Sequence, residues 1–154
     1  MTQENKQEKI KVLFLDIDGV VNCVNTSQRH RGFIGIDPYM ALLVGRITLA
    51  LPELKVVLSS SWRNMTEGRA EVESQVVKLF DQTPPDWFDR ENNHHSTRGE
   101  EIQKWLDAHP EVEKYAILDD DSDMLESQLP NFFKTTWLNG ITEEIVEAVI
   151  KHLK

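Results

Sequence analysis

The chain has 154 residues, 40% apolar and 28% charged, with seven glycines and six prolines, a composition that suits an ordinary globular protein and excludes fibrous or wholly disordered classes. A formal net charge of −9 repels phosphate backbones at long range, which argues against a broad nucleic-acid-binding surface or an anionic-membrane partner and leaves room only for a local basic pocket. No apolar stretch approaches the ~20 residues needed to span a bilayer. The start, MTQENKQEK, lacks the apolar core of a secretory signal, so a cytoplasmic protein is expected. The length fits one domain, expected over residues 10–154 behind a flexible tail over residues 1–9. Cys23 is the only cysteine, which rules out an intrachain disulfide or a cysteine cage for zinc and reads as a small buried thiol.

In chain order, residues 10–16 (IKVLFLD) are apolar without alternation, the mark of a strand covered on both faces, as in parallel sheets. Asp37 before Pro38 then predicts a capped helix carrying Met40, Leu43, Val44, Ile47 and Leu51 at helical spacing. A second buried strand follows at residues 54–60 (LKVVLSS) and a helix at residues 71–80. Residues 81–93, interrupted by prolines, form a connection of no evident role. Thr97 and Glu100 have capping-box spacing, and Ile102, Trp105, Leu106 and His109 trace one helix face before Pro110. A third strand is predicted at residues 115–120 (YAILDD), a weaker fourth at residues 132–137, and a last helix at residues 142–153, its first turn acidic. Strands alternating with helices predict an α/β fold, a doubly wound parallel sheet. In such sheets ligands lie outside the carboxyl ends of the strands.

The residues at those ends form a set. Asp16 and Asp18 close the first strand, Ser59, Ser60 and Ser61 the second, and Asp119, Asp120, Asp121 and Asp123 the third. Crowded carboxylates raise one another's pKa unless a cation sits among them, which asks for a hard metal with oxygen ligands, with Mg²⁺ the expected ion. A calcium-binding helix-loop-helix fits Asp119, Asp121 and Asp123 but fails where it needs glycine and glutamate, since Met124 and Pro130 stand there.

DIDGV after an apolar strand, a serine closing a second strand, a basic residue opening a helix and an acidic pair closing a later strand resemble the four motifs of the haloacid dehalogenase superfamily. VLSSSWR, RGEEIQKWL and AILDDDSDM resemble more narrowly its Swiss-army-knife RNA-repair-like branch, related to the phosphatase half of polynucleotide kinase-phosphatases. The resemblance implies a Mg²⁺-dependent phosphatase. Asp16 would be the nucleophile that takes the phosphoryl group as an aspartyl-phosphate, and Asp18 the general acid and base. Ser60, with Ser59 and Ser61 as close competitors, would hold the phosphoryl group, and Arg98 would neutralise it. The metal would rest on Asp16, Asp18, Asp119 and Asp120, with Asp119 and Asp120 interchangeable as the direct ligand. Carbon–halogen or carbon–phosphorus cleavage is disfavoured because the second aspartate marks phosphoryl chemistry in this family.

Only a loop and one helix fit between the first two motifs, so no large cap domain is expected and the site should be open. Arg29, His30 and Arg31 are candidates for a second phosphate or a nucleic-acid end. Arg63 is expected to touch substrate, while its neighbour Trp62 reads as core packing rather than a base-stacking platform. His94 and His95 read as loop residues near the entrance. The substrate reads as a nucleic-acid end, a nucleotide or a small phosphorylated metabolite, and a metal-binding module without turnover is the non-enzymatic alternative. The oligomeric state has no sequence signal.

Overall fold

The computed structural model describes residues 8–154; residues 1–7, most of the expected tail, lie outside the described residues. The chain runs through β1 (Ile10–Leu15), the hairpin β2 (Arg29–His30) and β3 (Phe33–Ile34), α1 (Pro38–Ala50), β4 (Lys55–Leu58), a 3-10 turn (Ser61–Asn64), α2 (Gly68–Gln75) and β5 (Asp81–Gln82). It continues with the hairpin β6 (Phe88–Asp89) and β7 (His94–His95), α3 (Arg98–Asp107), β8 (Val112–Asp119), a 3-10 turn (Glu126–Asn131), β9 (Phe132–Lys134) and α4 (Glu143–Leu153).

Five parallel strands form the central sheet in the order β5-β4-β1-β8-β9. The chain builds outward from β1 first on one side and then on the other, so the strand order reverses at β1, a switch point of the kind where such sheets bind ligands. Side chains of β1 alternate between two cores. Leu13 and Leu15 pack with α1, α2 and α4 residues such as Val44, Ile47, Val72, Val146 and Val149. Val12 and Phe14 pack with Ile102 and Trp105 of α3, and the Phe14 ring meets Trp105 and Tyr115 edge-on at 5.4 and 5.8 Å. That two-sided burial explains the unbroken apolar run, since each such side chain stabilises the fold by ~1.5–3 kcal/mol.

The predicted caps form. Asp37 accepts from the N–H groups of Tyr39 and Met40, Thr97 and Glu100 make a reciprocal capping box, and Thr142 accepts from Ile145 N–H. Two elements differ from expectation. The helix predicted over residues 71–80 starts earlier and ends at Gln75. Leu79 is drawn into the core and Phe80 N–H donates to Val56 O, which turns the chain into β5, an edge strand within the connection that had no evident role. The strand predicted over residues 132–137 stops at Lys134, because Thr136 bridges to Gly140 in a turn that leaves Trp137 half exposed.

No described helix is long and apolar enough to cross a membrane. Between β1 and α1 the described chain inserts only a loop and the β2–β3 hairpin, with no large cap.

Candidate active site

Asp16 follows β1, and Asp119 ends β8, its direct sheet neighbour. The pairing carries past the strand, with Asp16 N–H donating to Leu118 O. This brings carboxylate oxygens of Asp16, Asp119 and Asp120 within 4.8 Å of one another. They line a cleft of about 190 Å³ together with Asp18, Ser61, Arg98, Asp121 and Asp123. Larger hollows of about 610 and 670 Å³ lie by the starts of the strands, among lysines, glutamates and aliphatic residues, and have no comparable convergence of groups.

Gly19 makes the close packing possible. Its φ of +80° is a left-handed conformation, and any Cβ there would collide with the Asp120 carboxylate, so the glycine both turns the chain and admits the acid. Thr135 Oγ1 donates to Gly19 O at 2.6 Å and ties this turn to the chain after β9.

Burial dominates the electrostatics. It pushes the Asp16 carboxyl well above its ordinary range, and the charge of Asp119 adds to this while Arg98 opposes it. Burial likewise raises Asp119, to about 6, against a hydrogen bond from Asp121 N–H and the charge of Arg98. Asp120 is raised for the same first reason. Such shifts are the signature of carboxylates lacking a counter-charge. An all-oxygen donor set at this spacing fits a hard dication, which would remove that deficit.

Arg98 opens α3 at the rim. Its backbone N–H donates to Asp123 Oδ2 at 2.9 Å, and its Nε lies 4.0 Å from Asp119 Oδ2. The Arg98 Nη1 atom is buried without a hydrogen-bond partner among the described residues and lies 4.0 Å from Glu101 Oε1, while the residue itself lines the cleft. Gly99 is required beside it, because a Cβ there would press on Leu125 N and Asp123 O.

The other predicted site residues have the following surroundings. The Asp18 carboxylate is outside the converging trio; its Oδ1 accepts from Asn22 Nδ2 at 3.0 Å and Trp62 Nε1 at 3.1 Å. Ser60 is fully buried and its hydroxyl accepts from Trp62 N–H as the cap of the 3-10 turn, while Ser61 lines the cleft. Arg63 turns inward, where its side chain is 3% exposed and bonds Glu101 at 2.9 Å and Ser60 O at 2.6 Å. This places the Arg63 guanidinium in a buried ion pair, away from the residues that line the cleft.

Arg29 donates to Thr26 O and Gln28 O, Arg31 pairs with Glu67, and His30 is buried against Trp62. His94 and His95 form β7, where His94 bonds Glu100 at 2.6 Å and His95 packs on Phe88. Asn22, Glu101 and Asp123 are contributors that motif reading passed over or left unassigned. The signal for Asn22 was its place four residues after Asp18, inside the same FLDIDGVVN segment.

The family model for the HAD domain in Swiss Army Knife RNA repair proteins matches residues 12–146. The fold is similar to the HAD domain of the effector protein Lem4 from Legionella pneumophila, with a TM-score of 0.57, 12% sequence identity, and coverage of 96% of this chain and 97% of that one. At that identity the likeness speaks to fold alone. No curated protein sequence matches the chain.

Proposed function

The chain belongs to the family of HAD domains in Swiss Army Knife RNA repair proteins, and from that premise we propose that it is a phosphomonoesterase dependent on Mg²⁺. The observation that carries the reading is the convergence of the Asp16, Asp119 and Asp120 carboxylates with the Arg98 guanidinium in the same cleft, its Nε 4.0 Å from Asp119. Asp16, Asp119 and Asp120 would hold the cation, which when bound neutralises charge on the nucleophile and on the transferring phosphoryl group.

An Asp16 oxygen attacks phosphorus, and the bond to the ester oxygen breaks as Asp18 gives that oxygen its proton. Water then attacks the aspartyl-phosphate, Asp18 takes the water proton back, and Asp16 is released with inorganic phosphate. Arg98 and Ser61 supply donors to the phosphoryl oxygens; such pre-placed charge usually contributes the largest part of catalysis in phosphoryl transfer. The family's name directs the first substrates to nucleic-acid ends and nucleotides.

The test is phosphate release with Mg²⁺ from 3′-phosphorylated oligonucleotides, mononucleotides and small metabolite phosphates, beside Asp16→Asn. Wild type should release phosphate from at least one, and the variant should lose roughly 10⁴-fold or more in rate. Release no faster than the variant across the whole panel would overturn the hydrolase reading in favour of a binding module.

A further inference from the structure

We propose that Trp62, assisted by Asn22, is a positioning residue that holds Asp18 by one oxygen and leaves the other for the leaving group. The inference rests on the phosphomonoesterase reading above. The Trp62 side chain is 0% exposed, and a buried indole N–H needs an acceptor. It takes no backbone carbonyl but the Oδ1 of Asp18, at 3.1 Å across 44 residues of sequence.

Asn22 Nδ2 donates to that same Oδ1 at 3.0 Å. Oδ2 has no hydrogen-bond partner among the described residues, and Asp18 lines the cleft. The two donors fix the plane of the carboxylate, so whichever oxygen sits between them, the two oxygen positions differ in their surroundings. One is an anchor and the other is presented to the cleft.

The anchors are themselves fixed. Asn22 Oδ1 accepts from Gly19 N–H at 2.9 Å and its amide donates to Gly35 O at 2.9 Å, joining Asp18 to the turn at Gly19 and to the end of the β2–β3 hairpin. The Trp62 backbone is capped by Ser60, and its ring stacks on His30 at 5.1 Å and 26°. His30 in turn contacts Thr66 O at 3.3 Å. The SSSWR segment therefore serves the acid after β1 as well as the cleft: Ser61 points to the cleft, Ser60 holds Trp62, and Trp62 holds Asp18.

Proton donation matters most when the leaving oxygen is a poor leaving group, so misplacing Asp18 should penalise alkyl phosphates and spare p-nitrophenyl phosphate. Trp62→Phe removes the N–H and keeps a ring for His30. Its kcat/KM on an alkyl phosphate, which reports the leaving-group step and not the shared hydrolysis of the intermediate, should fall by roughly tenfold or more, with a fall of no more than about threefold on the aryl ester.

Should Trp62→Phe fail to fold, replacing the indole by its benzothiophene isostere removes the N–H with the shape kept, and the same pattern is expected. Equal losses of kcat/KM on both esters, or none, would overturn the inference. Asp18→Asn in parallel separates the two readings. If it shows the leaving-group pattern and the Trp62 variants do not, only the positioning role falls; if Asp18→Asn lacks the pattern too, the proton-transfer reading falls with it.

Discussion

Asp16 and Asp18 stand two residues apart, yet the fold surrounds them oppositely. Asp16 is 6% exposed and receives Ile17 N–H on Oδ1 at 2.8 Å, with Asp119 and Asp120 as neighbours in the trio. Asp18 is half-buried and anchored by two neutral N–H donors, from Asn22 and Trp62. One acid is placed where a cation is wanted; the other is held to one orientation. A role for each follows from its surroundings rather than from its residue type, as when two carboxylates in one site are driven to different tasks.

The largest effect that would sharpen this contrast is on metal-dependent stability. Mg²⁺ should raise the melting temperature of the wild type, by several degrees if it is present at about 100 times its Kd, where binding adds ~2.7 kcal/mol. That rise should vanish in Asp16→Asn and persist in Asp18→Asn; a rise lost equally in both would erase the contrast.

The same melts carry a pH signature. Asp119 is raised to about 6 in the fold, so the folded state holds its proton more tightly than the unfolded chain. Without metal, this group's contribution to stability is fully present below its ordinary value near 3.8 and is lost as pH rises through about 6. Protons therefore compete with the cation, and the Mg²⁺-induced rise should be smaller at about pH 5 than at about pH 7. An equal rise at both would argue that the trio does not hold the ion.

A smaller effect separates the neighbouring serines. Ser60→Ala removes a cap and should cost about 1 kcal/mol in stability, with a secondary loss of activity through Trp62. Ser61→Ala should leave the melt unchanged and lower kcat/KM by about tenfold or more, the worth of a hydrogen bond to a charged oxygen. The reverse pattern would restore Ser60 as the phosphoryl ligand.

The sequence made the sheet legible because β1, β4 and β8 are buried on both faces, so their apolar runs stand out, and because Asp37, Thr97 and Thr142 advertise their helices as caps. The short edge strand β5 was invisible, since Asp81 and Gln82 gain strand geometry only by pairing with Val57 and Leu58. At the site, the convergence of Asp16 with Asp119 and Asp120 followed from chain order alone once the strands were parallel. Side-chain direction did not. Whether Ser60 or Ser61 meets the cleft depends on the 3-10 turn that starts at Ser61, and Arg63 is drawn inward by Glu101, 38 residues away, which no local pattern encodes.

The central claim is that Asp16 itself takes the phosphoryl group. It is tested most directly by the stereochemical course at phosphorus, using a chiral, isotopically labelled phosphorothioate ester of an accepted substrate hydrolysed in heavy-oxygen water. Two successive in-line displacements, the first by Asp16 and the second by water, predict retention of configuration. Inversion would mean that water attacks the ester directly and would contradict the account.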